Sequence, residues 1–311
     1  MCYSAQIWAD YRKYVRRYGA KIDIKTFTEL FWYRSKDKKI KVPKAMAAAF
    51  DDPKSPEEAE VARLIAEFDQ QETMKLEQER FAQTKRKADA ERVLQTKTTK
   101  KALEDLRIST DKIDKAKYNL EELRRGDLKP RDSRIYPAWY APVMVMENGQ
   151  RIVKAMRYQC RPAGMPASSD FTKDRSRSGT YNARRDNLER FWRRQFGYTH
   201  GIVVADAFYE NVDRDGKNAV LEFRPNNGQD MLVACLWSHW TGEGEDDLLS
   251  FAAITDVPPP EVAAAGHDRC IIPIKPENVD AWLNPDPANL AALHAILDDR
   301  DRPYYEHRLA A

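Results

Sequence analysis

Between Glu57 and Arg125 the chain holds neither glycine nor proline. Glu, Lys, Arg, Gln and Ala fill the run, and these residues lose little on entering a helix. Such a segment can form little other than long helix. Ser55, Pro56 and Glu58 mark its start: a capping hydroxyl, a ring with no N–H to leave unmet, and an acid three residues after the cap. Apolar residues are sparse. Val61, Leu64 and Phe68 begin one stripe. Leu103, Leu106, Ile113, Ala116, Leu120 and Leu123 give a second at coiled-coil spacing, interrupted by Thr110. Gln95 to Thr99 is the weakest helical stretch between them. The pattern predicts an antiparallel helical hairpin, capped by Gly126 and stopped by Pro130. Its charge is mixed, which predicts a solvated surface rather than a nucleic-acid patch. Recruitment of a protein partner or self-association is its expected use.

The flanking chain has a different grain. Trp8, Tyr11, Val15 and Tyr18 share one helical face, with Arg12, Lys13, Arg16 and Arg17 around it. That predicts an amphipathic helix packed by its aromatics, and residues 26–33 continue as a second helix. After Pro130 the pattern turns to strands: 143–146, a turn at Asn148-Gly149, 151–158, 201–205, 219–223, 231–237, 249–255 and 270–274. Residues 163–180 read as a loop carrying Lys173, Arg175 and Arg177. Asn187 to Phe196 reads as a basic helix with Arg190, Arg193 and Arg194, and short helices are expected from Pro258, Pro276 and Pro287. Strands joined mostly by turns predict an α+β body, mainly antiparallel.

Four cysteines (Cys2, Cys160, Cys235 and Cys270) are widely spaced and form no C-x-x-C pair, which argues against a disulfide scaffold and for a reducing compartment. The net charge of +3 identifies no partner by itself. No signal-like or long apolar stretch occurs, so a soluble, cytoplasmic protein is expected, nucleoid-associated in a bacterium.

Cys2 follows Met1 directly. Removal of Met1 would leave an α-amine and a thiol on adjacent carbons, with reference pKa values near 8 and 8.5. An amine condenses with an aldehyde to an imine, and a neighbouring thiol can close a five-membered thiazolidine. Alone, a cysteine there is more simply a small second residue. Three polar residues farther on, Asn182, Glu210 and His267, are expected at strand or loop edges. Taken singly, each is more simply a turn asparagine, a strand-end surface charge and a structural histidine.

Together these residues resemble the SOS response-associated peptidase (SRAP) family. Met1-Cys2 with Ala5-Gln6 resembles the family's opening Met-Cys-Gly-Arg-Phe/Ala, and Asn182-Ala183-Arg184 its Asn-Ala-Arg motif. Val203 to Glu210 resembles Val-Pro-Ala-Asp-Gly-Phe-Tyr-Glu. Ala234-Cys235-Leu236-Trp237 resembles Ala-Gly-Leu-Trp, His267-Asp268-Arg269-Cys270 resembles His-Asp-Arg-Met, and Ala281-Trp282-Leu283 carries the closing Trp-Leu. The resemblance covers residues 1 to about 8 and about 131 to 285, leaving the helical run outside. It departs at Tyr3-Ser4, where Gly-Arg is usual, so one phosphate-binding arginine is missing. It departs again at Tyr158-Gln159 (usually Trp-Gly, a stacking platform), at Ala207 (usually Gly) and at Cys270-Ile271 (usually Met-Pro).

The resemblance implies a β-barrel-like catalytic domain split between residues 1–8 and 131–311. A helical extension over 9–56 packs on it, and a charged hairpin is inserted over 57–130. It implies binding of single-stranded DNA containing abasic sites and covalent capture of the sugar aldehyde by Cys2. Asn182 would orient the terminus or sugar, Glu210 would move protons, and His267 would act as a second acid/base. Arg184 would hold a phosphate, with Arg177, Arg193 and Arg269 as further DNA-binding candidates. No cofactor and no metal are implied. Two other readings stand beside it: a cysteine peptidase pairing Cys2 with His267, and a non-catalytic nucleic-acid-binding or scaffold protein. A zinc site on His267 and Cys270 would fall two ligands short of four.

Overall fold

A computed structural model describes residues 4–310 of the 311-residue chain. Cys2 and its proposed chemistry therefore lie outside the described residues. The chain begins with β1 (Ser4–Ile7), α1 (Tyr11–Tyr18), β2 (Lys21–Ile22), α2 (Ile24–Lys36) and α3 (Lys44–Ala48). The glycine-free run becomes α4 (Pro56–Thr96) and α5 (Lys100–Arg124). Ser55 caps α4 by accepting from the Glu58 N–H, and Thr99 caps α5 by accepting from the Ala102 N–H. The break falls at 97–99, within the predicted weak stretch.

The remainder holds β3 (Arg134–Ile135), β4 (Tyr140–Glu147), β5 (Gln150–Tyr158), β6 (Asn182–Arg184), β7 (His200–Arg214), β8 (Lys217–Pro225), β9 (Met231–Gly242) and β10 (Glu245–Asp256). Then come α6 (Pro260–Ala264), β11 (Cys270–Ile271), α7 (Val279–Leu283), α8 (Leu290–Asp298) and β12 (Tyr305–Leu309). The fold is α+β: one mixed twelve-stranded sheet with helices against it. Most pairings are antiparallel; β10 with β5, β10 with β6 and β2 with β5 are parallel. Pairing runs from β10 to β5, β4, β7 and β9 and returns to β10.

The centre of the core lies where β7 crosses β4 and β9. Gly201 is needed there, because a Cβ would stand 2.9 Å from a Val143 methyl and 3.1 Å from the Cys235 sulfur. Tyr14 of α1 clamps the crossing: its hydroxyl accepts from the Val204 N–H at 3.0 Å and donates to the Pro142 carbonyl at 3.3 Å. Trp282 is fully buried and donates to the Gly201 carbonyl at 3.0 Å. The closing Trp-Leu is thus a core anchor.

Three expectations are corrected. Asn187 to Phe196 is not a helix: a 3-10 turn over Arg185–Asn187 leads into further turns. Leu188, Trp192, Gln195 and Phe196 are all buried. The Trp192 N–H reaches back five residues to Asn187 at 3.3 Å, so core packing overrides the regular helical ladder. Second, β7 does not end at Ala205 but continues through Glu210 to Arg214, so Glu210 is an interior strand residue. Third, β11 stops at Ile271, short of the predicted Ile274. No helix among the described residues is long and apolar enough to cross a membrane.

Candidate functional site

Glu210 is fully buried on β7, opposite Leu221 of β8. His267 follows α6 in a turn made possible by Gly266, whose φ is +98°. The turn aims the imidazole at Glu210, and Nε2 stands 3.1 Å from Oε2. The other ring nitrogen, Nδ1, faces the peptide of Arg269: its carbonyl at 2.9 Å and its N–H at 3.3 Å. Either tautomer of a neutral imidazole therefore finds a partner. With the proton on Nδ1, the ring donates to the Arg269 carbonyl and Nε2 can accept. With the proton on Nε2, the ring donates to Glu210 and Nδ1 accepts from the Arg269 N–H. The two arrangements differ at the carboxyl: Nε2 accepts when Glu210 carries a proton and donates when Glu210 is ionised. Burial lowers the His267 pKa below its ordinary value, which keeps the ring neutral near pH 7.

The chain's described start lies beside this couple. β1 pairs with β7 so that Ser4 stands opposite Tyr209, the neighbour of Glu210. Arg134 of β3 reaches the same place, donating to the Ser4 Oγ from Nε at 3.0 Å and Nη2 at 2.9 Å. Its guanidinium lies 3.6 Å from the centre of the Tyr209 ring and 5.0 Å from that of Tyr136. Among the described residues it has no carboxylate partner. Sequence reasoning missed Arg134. The signal available was Arg134-Ile135-Tyr136 opening the β-rich half, but the partner, Ser4, is 130 positions away.

The other predicted residues divide. Asn182 is buried in β6 alongside Ala253 of β10. Its neighbour Arg184 lines a cleft of about 230 Å³ with Asp186, Thr255, Asp268 and Arg269. The cleft joins the Asn182–Arg184 strand to the His267–Arg269 turn, so Arg184 and Arg269 come together. Arg184 is exposed and paired with Asp186 at 2.5 Å, whereas the Arg269 side chain is mostly covered and lies 3.5 Å from Asp268. Arg177 and Arg193 do not join this cleft. Arg177 donates to Gln159 Oε1 at 3.0 Å and stacks on Phe171; Arg193 is exposed on the turns before Gly197.

The departures from the family pattern also find structural accounts. Tyr158 is buried and stacked on Phe251 at 5.2 Å, so its ring is core rather than an open platform. Gln159 stands where glycine is usual, with φ +135°. Such a backbone costs on the order of 1–3 kcal/mol. Its buried amide offsets this by donating to the Asp170 carbonyl at 2.7 Å and Ser178 Oγ at 3.2 Å, while Oε1 accepts from Arg177. Asp170 is itself held by Arg157 and Arg161 at 2.7 and 2.6 Å. Burial pushes its carboxyl pKa up, but hydrogen bonds from the two guanidiniums outweigh that and bring it below the usual range. Ile271 takes the place of proline in β11, opposite Thr255 of β10.

The three described cysteines offer no nucleophile. All are buried, and burial raises each thiol, Cys160 to about 12 and Cys235 and Cys270 likewise well above the ordinary value. Among the described residues no group of three or more His, Cys, Asp or Glu could hold a metal ion.

The family model of the SOS response associated peptidase (SRAP) matches residues 78–308, well over half of the chain. The chain belongs to this family. The match begins inside α4 and takes in the second half of the hairpin, which the motif resemblance left outside. The abasic site processing protein YobE of Bacillus subtilis (strain 168) is 31% identical over 132 residues, 40% of this chain and 59% of YobE. The chain thus spans less than two thirds of that relative's length. A solved structure of a Bordetella bronchiseptica protein is 18% identical, with a TM-score of 0.47, covering 60% of this chain and 90% of its own. One of a Bacteroides thetaiotaomicron protein is 12% identical, with a TM-score of 0.44, covering 57% and 77%.

Proposed function

We propose that this protein captures abasic sites in single-stranded DNA through Cys2 once Met1 has been removed. The single observation that carries this reading is the buried Glu210–His267 couple at 3.1 Å, one residue from the strand position opposite Ser4. Family membership and the name of the relative YobE support it. Cys2 precedes Ser4 by two residues, and two residues of any chain span at most about 7 Å.

The chemistry balances with no co-reactant. The α-amine of Cys2 adds to the aldehyde carbon of the open sugar. One amine proton passes to the carbonyl oxygen; Glu210 supplies the second proton that lets it leave as water and takes back the proton the nitrogen then gives up, forming the imine. The thiol sulfur then adds to the imine carbon and its proton passes to the nitrogen, closing a thiazolidine. One water is lost overall. His267, held neutral, can take up the Glu210 proton at Nε2 and give the same proton back. Asn182 orients the terminus or the sugar. Arg184 and Arg269 hold a phosphate at their cleft, and Arg134 serves the phosphate beside Ser4, where the family's usual arginine is absent. Its place against Tyr209 and Tyr136, without a carboxylate partner among the described residues, suits an anion.

The test is a denaturing gel of protein mixed with an abasic oligonucleotide, alongside the intact mass of the protein. Wild-type protein should lack Met1 and yield an adduct that survives denaturation; Cys2→Ala should yield none. An adduct that persists in Cys2→Ala sinks the reading.

A further inference from the structure

The two halves of the α4–α5 arm carry opposite charge. From Glu57 to Glu79 eight acids stand against two basic residues; from Arg80 to Lys101 eight lysines and arginines stand against two acids. The halves cancel in the composition, which is why the run reads as mixed. The structure separates them in space. The acidic half is rooted on the body: Glu58 binds Arg12 at 2.8 Å, Glu72 meets Lys38, and Phe68 lies 4.1 Å beneath the Arg34 guanidinium. Beyond Glu72 the ion pairs of α4 to other elements run to α5 alone. From Glu72 to Thr96 the helix rises about 36 Å.

Three of the eight tip cations are satisfied within the arm: Arg86 by Asp105 at 2.6 Å, Arg92 by Asp89 at 2.9 Å and Lys87 by Glu91 at 4.0 Å. The nearby Glu104 and Asp111 are taken by Arg107. Arg80, Lys85, Lys97, Lys100 and Lys101 are exposed and, among the described residues, have no ion-pair partner. Lys100 and Lys101 open α5, the positive end of its dipole, where a cation is repelled. By contrast α4 opens with Glu57 and Glu58, the favourable sign. Helix propensity accounts for long side chains at these positions but not for their common sign at the end of the arm; an external polyanion accounts for that sign. Phe81, 77% exposed, lies one turn before Lys85 on the same face, which adds an aromatic surface for a base. An anionic membrane would call for a broad apolar face beside the lysines, and the tip presents apolar residues singly. The arm's other root adjoins the site: Arg125 is paired with Asp132 at 2.8 Å, and two residues on Arg134 holds Ser4.

We propose that the arm tip, residues 80–101, binds the phosphate backbone of the DNA strand flanking the body's site, without reading its sequence. The proposal rests on DNA being what the body takes. The test uses the full chain and a variant with Arg80→Gln, Lys85→Gln, Lys97→Gln, Lys100→Gln and Lys101→Gln, with helix content checked by circular dichroism. A short abasic oligonucleotide of about 8 nucleotides, within the site size of one binding domain, reports the body alone and should give an unchanged adduct. An intact single strand of about 40 nucleotides should bind the variant at least about tenfold more weakly at low salt, with the slope of log K against log salt reduced by about 3. Equal affinity and slope would overturn the proposal. So would loss of binding to phosphatidylglycerol vesicles in the variant with DNA binding intact, which would assign the tip to membranes. Wild-type protein that forms no adduct, while the variant still loses long-strand affinity, would support the tip and contradict the reading of the body.

Discussion

The body site and the arm tip use charge in opposite ways. At the site, burial does the work: Glu210 and His267 are removed from water, face each other at 3.1 Å, and the imidazole is held by the Arg269 peptide. At the tip, exposure does the work: five cations stand in solvent on a helical arm, without an ion-pair partner among the described residues. A buried pair is fixed in geometry and weakly screened, which suits proton transfer at one atom. Exposed cations are mobile and screened by salt, which suits a repeating, sequence-independent ligand. In the reading proposed above, the first region reacts and the second holds.

The largest expected effect breaks that contrast on the reactive side. Glu210→Gln keeps shape and removes the proton, so adduct formation with a short abasic oligonucleotide should slow by about 10²–10⁴-fold in a gel time course. Unchanged kinetics would remove Glu210 from the chemistry. A smaller effect concerns stability. Burial pushes His200 down to about 3, with Nε2 accepting from the Gly197 N–H at 2.9 Å and Nδ1 donating to the Trp282 carbonyl. The unfolded chain binds a proton near pH 6.5 that the folded ring refuses. Stability should therefore be full above about pH 6.5 and fall as pH drops toward 3, by up to about 1.4 kcal/mol per unit. The lowered His267 adds in the same direction just below pH 6.5. Denaturant titrations at several pH values check this, and a flat profile would contradict neutral buried imidazoles. Asp170, depressed, loses its contribution only at lower pH, as pH falls through its folded pKa. The smallest effect falls at the border of the two regions. Arg134→Gln should weaken oligonucleotide binding about fivefold, roughly 1 kcal/mol. Arg134→Lys should restore little, because a lysine cannot both stack on Tyr209 and donate twice to Ser4.

The arm was legible in the sequence because helix propensity and caps are local: Ser55, Glu58 and the weak stretch before Thr99 fall at observed boundaries. The predicted strands were legible from their short apolar runs and turns. The basic helix over 187–196 was not, because Trp192, Gln195 and Phe196 answer to the core rather than to helix periodicity. Neither was β12, whose Glu306, His307 and Arg308 carry no apolar alternation and pair with β8 at its edge. In the site, the types of Glu210 and His267 were readable but their contact was not. It depends on β7 running five residues past its apolar stretch and on a turn at Gly266. Charge segregation in the arm lay open in the sequence and was hidden only by averaging over its whole length.

The most direct measurement of the central claim is the intact mass of the product formed with an abasic oligonucleotide, without added reductant. The account predicts protein lacking Met1 plus the oligonucleotide minus one water, with fragmentation placing the link on Cys2. A stable product linked to a lysine, or to protein that retains Met1, would contradict it.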